Sequence, residues 1–301
     1  MIRTKCFGEW FEMTLPSKWE GYSIDDLFRI VWKAPKKQIH TIRMEMHVKV
    51  NGELINWNQP LKESDRLQLK LFMEEDFGVI PAYHEVDVLY EDEHMIVFNK
   101  PANMDTHPNS PEQTNTLANA AAFYLQAKGE QRKIKHVHRL DRDTTGAILF
   151  AKHSLAGSIL DKMLEKRSIK RTYFALVHGR IKRKKGTIQE PIGRDRHHPT
   201  KRRVSSSGQP AITHYELLEY SPRQDLSLIQ CQLETGRTHQ IRVHLSFIGH
   251  PIVGDKLYGG KPLFERQALH AGKLVIPHPF TDENIVVEDF MTIPFLHLLK
   301  K

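Results

Sequence analysis

His138-Arg139-Leu140-Asp141-Arg142-Asp143-Thr144-Thr145-Gly146 runs directly into Ala147-Ile148-Leu149-Phe150-Ala151, so a charged turn closed by glycine feeds a wholly apolar strand. Arginines on both sides of Asp141 favour its carboxylate form, which suits a nucleophile or a base better than a proton donor. Folding alone rarely needs so much charge at the mouth of a buried strand, and the run reads as a site. A surface turn with an Arg-Asp pair is the alternative that local chemistry leaves open.

Around this run the chain alternates short apolar segments with turns. Residues 86–92 and 95–99 read as two strands joined tightly, and 117–125 and 155–164 as helices with one apolar face. Residues 169–177, 211–218, 226–233 and 241–245 read mainly as strands. Many strands with few helices predict an α+β domain on a largely antiparallel sheet.

Residues 13–72 look like a separate module. Ser23 is placed to cap a helix that Ala34-Pro35 ends, a short basic helix starts at Lys36, and residues 48–55 alternate around Asn51-Gly52 as a hairpin. A final strand covers 65–71. All four tryptophans, Trp10, Trp19, Trp32 and Trp57, fall in the N-terminal part of the chain and are expected to anchor a core. Residues 73–85, acidic with Gly and Pro, read as the connection.

Composition narrows the classes. The 301 residues suffice for one large domain and a small one. No apolar run approaches a membrane span, and the start carries no signal-like segment, so a soluble cytoplasmic protein is expected. Cys6 and Cys231 sit in unlike contexts and predict free thiols; no Cys/His spacing fits a metal, and none is expected. The net charge of +8 is unevenly placed: residues 128–203 hold 22 basic and 7 acidic side chains, whereas residues 1–80 balance and 81–127 are net acidic. Basic charge packed around a candidate site points to a polyanion, most commonly a phosphate backbone.

The run around Asp141 resembles the signature of the RluA-type (large-subunit) RNA pseudouridine synthases. Further blocks follow in that family's order: Asn99-Lys100-Pro101-Ala102-Asn103-Met104, then residues 170–179, then 233–244 with Thr235-Gly236-Arg237-Thr238-His239-Gln240, then Gly254-Asp255-Lys256-Leu257-Tyr258-Gly259 and Leu269-His270-Ala271. The N-terminal module is similar to the small RNA-binding domain of ribosomal protein S-four, with a packing cap as the alternative.

The resemblance implies a pseudouridine synthase fold: an α+β, largely antiparallel mixed sheet with flanking helices and a central cleft. It also implies an RNA-binding domain over 1–76, a linker over 77–85 and a catalytic domain over 86–301. The implied activity is isomerisation of uridine to pseudouridine, with 23S ribosomal RNA as the expected substrate, without a cofactor, by a monomer. Asp141 would be the catalytic residue, Arg237 its ion-pair partner and Tyr173 the ring stacked on the target base. Arg139 and His138 would contact RNA where the base leaves its stack, with Lys170, Arg171, Lys201, Arg202 and Arg203 at phosphates. His239, just before the expected strand 241–245, and Arg242 and His244 on it default to structural roles, with RNA-facing positions as the alternative. Three other readings remain: a non-catalytic RNA-binding or ribosome-assembly protein, a hydrolase using Asp141, and a synthase acting on transfer RNA.

Overall fold

A computed structural model describes residues 2–290 and 293–300. Near the N-terminus, β1 (Thr4–Phe7), β2 (Trp10–Thr14), β3 (Val48–Val50) and β4 (Arg66–Lys70) form an antiparallel sheet in the order β1-β2-β4-β3. Ser23 caps α1 (Ile24–Asp26) in a reciprocal capping box with Asp26, and a single π turn, Leu27–Val31, continues it. The basic helix is α2 (Lys36–Met44). The expected 48–55 hairpin is shorter than its alternation suggests. Asn51 and Gly52 do take positive φ, but the returning arm keeps only the Val50–Glu53 bridge, and β3 pairs with β4 instead.

The second sheet is built on β5 (Asp87–Glu91), β6 (Met95–Lys100), β7 (Lys135–His136), β8 (Thr145–Ala151), β9 (Lys170–His178), β10 (Lys185–Gln189), β13 (Ile212–Ser221), β14 (Leu226–Leu233), β15 (Leu269–Pro277) and β16 (Asn284–Glu288). A separate ribbon pairs β11 (Ile192–Arg194) with β12 (Arg202–Val204). The main order is β10-β13-β14-β9-β15-β8-β6-β5, with β16 on β15 and β7 on β8. All pairings are antiparallel except β8 with β15, which lies at the centre. There a Cβ on Gly146 would come within 2.3 Å of the Ala271 carbonyl oxygen, and the residue has φ +109°; only glycine lets the two strands meet.

The strand following the charged run is apolar throughout because both its faces are covered. Ile148 and Phe150 join a core that includes Leu117 and Ala121 of α3 (Leu117–Ala127). Ala147, Leu149 and Ala151 join a second core with Leu155 and Ile159 of α4 (Ser154–Glu165), and this one also contains Phe11, Met13, Trp19 and Trp32 of the N-terminal module. The module therefore shares a core with the back of the large sheet. Phe280 marks the seam, its ring centroid 5.1 Å from Phe11 and 5.8 Å from Trp32. Residues 73–85 form no regular element but are tied down, since Asn119 donates its amide N–H to the Ile80 carbonyl.

One expected strand is a helix. Residues 241–245 alternate apolar and polar, yet they lie in α5 (Gln240–Phe247), where every side chain from Gln240 to Leu245 is buried. Burial of polar Gln240, Arg242 and His244 against specific partners produced a period of two with no strand behind it. Among the described residues no helix is long and apolar enough to cross a membrane, and no group of acidic, His or Cys side chains is placed to hold a metal. Cys6 is exposed and Cys231 is buried in β14, both free.

The seam carries a buried imidazole pair. His153 Nδ1 accepts the Ala156 N–H at the start of α4, so its proton sits on Nε2 and faces His94 Nδ1 at 3.0 Å. Burial pushes His94 from 6.5 down to about 3 and His153 well below its ordinary value. Unfolded histidines take up protons below about pH 6.5 and these folded ones do not, so stability is lost as pH falls from there toward 3. At pH 5 the loss is expected to be about 2 kcal/mol for His94 alone, and smaller in His94→Phe. Urea unfolding at pH 7 and pH 5 checks this; a pH effect equal in the two proteins would contradict it.

Candidate active site

Asp141 sits on the turn before β8, and the turn is clamped from below. Lys100, fully buried, donates to the carbonyls of Pro101, Met104 and Arg142 at 2.8, 2.6 and 2.7 Å. Burial pushes Lys100 down to about 7, while three carbonyl acceptors call for all three protons of the ammonium. The Thr106 hydroxyl donates to the Leu140 carbonyl and accepts its N–H. Arg266 donates to the Asp143 carbonyl and the Thr145 hydroxyl, and Gln267 to the Thr144 hydroxyl. Five residues after Asp141, at Gly146, lies the sheet centre. The turn is therefore fixed on both sides.

Neither flanking arginine pairs with Asp141. Arg142 turns outward to the Asn103 side-chain oxygen, and Arg139 is exposed. The partner is Arg242 of α5, whose Nη1 donates to Asp141 Oδ2 at 2.9 Å. The expected pairing with Arg237 is thereby corrected: Arg237 is exposed and its Nε donates to the Pro210 carbonyl at 3.1 Å. The physical reason is the helix. It carries Arg242 into the interior while Arg237 stays in the segment before it.

Arg242 is itself held. Its Nε and Nη2 donate to the two oxygens of Asp255 at 2.7 and 2.9 Å, a bidentate fork that leaves Nη1 aimed at Asp141. Burial opposes the charge of Arg242, but the Asp255 bonds and the Asp141 charge outweigh it and raise its pKa. The Tyr258 ring lies 5.0 Å from the guanidinium. The Tyr258 hydroxyl accepts the Arg202 N–H and so can donate to His239 Nδ1 at 2.8 Å. That places a proton on His239 Nε2, 3.9 Å from Asp141 Oδ2, and burial keeps His239 neutral by lowering its pKa.

Asp141, His239 and Arg242 line a cleft of about 540 Å³ that also takes in Arg139, Arg171, Tyr173 and Arg237. Tyr173 and Arg171 share one face of β9, being two residues apart, and Tyr173 is 4% exposed. Burial raises the Tyr173 pKa, with the Asp141 charge adding to it, so the ring enters the cleft as a neutral phenol. Arg171 is buried beside Gly236, a wall of the cleft and not the free phosphate contact its neighbour Lys170 can be. His138 is buried too. Its Nε2 accepts the Leu149 N–H, so it supports the turn where an RNA contact was expected. Arg202 and Arg203 lie on β12 of the ribbon beside the cleft, and Lys201 immediately precedes it.

Sequence reasoning passed over Arg242, Asp255, Tyr258 and His239 as site residues, although all stand inside blocks already singled out. Asp255 was the available signal. A carboxylate between Gly254 and a buried aromatic needs a cation, and an arginine on a nearby apolar helix supplies one.

Residues 94–247 match the family model described as RNA pseudouridylate synthase, and residues 11–67 that of the RluD ribosomal pseudouridine synthase N-terminal domain. The chain is 50% identical over 93% of its length to "Uncharacterized RNA pseudouridine synthase YhcT" of Bacillus subtilis, covering 93% of that protein. It is 37% identical to "Ribosomal large subunit pseudouridine synthase D" of Escherichia coli O157:H7, over 79% of this chain and 77% of the relative. Among solved structures, "Human RNA Pseudouridylate Synthase Domain Containing 1" aligns with a TM-score of 0.58 and 27% identity, covering 71% of this chain and 86% of its own.

Removing Arg242 strands Asp255, which is 2% exposed, as a buried unpaired charge. Arg242→Gln is expected to cost about 3–5 kcal/mol of stability. Arg237→Gln, at an exposed position, should change stability by less than about 0.5 kcal/mol. Urea titration of the two variants checks the contrast, and equal losses would contradict it.

Proposed function

Since the chain belongs to the RNA pseudouridylate synthase family and is an isomerase converting uridine in RNA to pseudouridine, we propose that its target lies in large-subunit ribosomal RNA and that Asp141 carries the reaction. The N-terminal match and the name of the 37% identical relative support the ribosomal target. In this reading residues 1–76 bind RNA, 77–85 connect, and 86–301 catalyse, in a monomer working in the cytoplasm.

The reaction breaks the bond between ribose C1′ and uracil N1, turns the ring and joins C1′ to C5, with the C5 proton released and N1 protonated. It is redox-neutral and takes up no water, so it calls for a positioned carboxylate in a sheltered cleft and for no cofactor. The observation that carries the assignment is the Arg242–Asp141 contact at 2.9 Å, which fixes one carboxylate at the centre of the cleft with 19% of its side chain exposed. Tyr173, a neutral ring in the same cleft, would lie against the flipped uracil. Arg139, exposed at the mouth, would fill the gap left in the RNA stack, where unstacking costs a few kcal/mol. Lys170, Lys201 and Arg203 would meet phosphates. Arg242 acts through Asp141 and is a positioning residue.

Carbodiimide-dependent primer extension on RNA from a deletion strain tests the reading. Wild-type protein should restore a pseudouridine stop in large-subunit ribosomal RNA and Asp141→Asn should not. An unchanged map after deletion would overturn the proposal; a stop lost only from transfer RNA would overturn the ribosomal target and keep the isomerase.

A further inference from the structure

Beside the cleft, the β11–β12 ribbon sets Arg194 directly opposite Arg202. Paired residues of an antiparallel ribbon project from the same face with Cβ atoms about 5 Å apart, and like charges so placed repel. Nothing among the described residues offsets that repulsion, because neither guanidinium makes an ion pair. The adjacent carboxylate, Asp195, accepts the His197 N–H, which holds its pKa down, with the charges of His197, Arg203 and Lys201 adding to the effect. Arg237 reaches the same place from the segment before α5. Its Nε is used by Pro210, and its two terminal nitrogens have no partner among the described residues.

The three arginines line a hollow of about 320 Å³ together with Ser207, Gln209 and Thr238, and no carboxylate lines it. Its back is tightly made: a Cβ on Gly208 would lie 2.4 Å from the Ile192 carbonyl carbon. Arg237 and Thr238 line both this hollow and the cleft of Asp141, so the two are adjacent. The ribbon is also tied to the catalytic machinery, since the Arg202 N–H bonds the Tyr258 hydroxyl that in turn meets His239. Unoffset repulsion beside the cleft indicates a site completed by an anion.

We propose that this hollow seats a phosphodiester of the RNA strand carrying the target uridine, with Arg194, Arg202 and Arg237 supplying its counter-charge. The inference rests on the functional reading above, and it gives Arg237 a role in place of the one it loses to Arg242. Seating the backbone here holds the strand at a fixed distance from Asp141.

The test uses the full chain and deproteinised ribosomal RNA from a deletion strain, with binding followed across a KCl series. Each phosphate contact contributes about one to the slope of log affinity against log salt. Arg194→Gln/Arg202→Gln should lower the slope by about two and weaken binding about tenfold, Arg237→Gln should lower it by about one, and Arg194→Lys/Arg202→Lys should largely restore it. Melting temperature should stay level or rise in the double Gln variant as repulsion is relieved. Unchanged slopes overturn the proposal, and so does a lower melting temperature with unchanged slope, which would make the arginines structural. Binding is read without turnover, so an inactive wild-type enzyme would count against the functional reading alone, and an active one with unchanged slopes against this inference alone.

Discussion

A single guanidinium organises the site. Arg242 gives two donors to Asp255 and one to Asp141, and the geometry of a planar fork leaves little freedom in where the third donor points. Such a buried charge is costly unless every part of it is used, and here burial is offset by two carboxylates and the face of Tyr258. The position of Asp141 is thus fixed by two independent constraints. The sheet and Lys100 hold its backbone, and Arg242 holds its carboxylate.

The remaining architecture serves to bring these two constraints together. Gly146 permits the one parallel contact of the sheet, β8 against β15, and so places the Asp141 turn at the centre instead of at an edge. Helix α5 packs beside β13, where Gln240 donates to the Ile212 carbonyl and the Thr213 hydroxyl. On the back of the sheet the N-terminal module shares a core with β8 and α4, so the strand that follows the Asp141 turn is supported on both faces. That support explains why its sequence is apolar without alternation.

Much of this was legible beforehand. The Asp141 run, the strand after it, the α3 and α4 helices and the Ser23 cap each depend on neighbours within one or two turns, and local pattern carries such information. What local pattern could not carry was the partner of Asp141. Arg139, Arg142, Arg237 and Arg242 are chemically alike, and only the fold decides that the first two face outward, the third joins the ribbon and the fourth turns inward. The alternation over 241–245 misled for the same reason. A helix buried on all sides with polar residues satisfied inside has no amphipathic signature, and its period imitates a strand. His138 was read as an RNA contact from the family resemblance and Arg171 from its charge, and both are buried in the frame of the cleft.

The claim on which the account turns is that Arg242, and not Arg237, sets the reactive carboxylate. Release of tritium from RNA labelled at uridine C5, measured in single turnover at saturating enzyme, reports the chemical step. Arg242→Lys keeps the charge but loses the fork, and misplacing Asp141 should slow release by about a hundredfold or more, whereas Arg237→Lys should stay within severalfold of wild type. Loss confined to Arg237→Lys, with Arg242→Lys near wild type, would contradict the account.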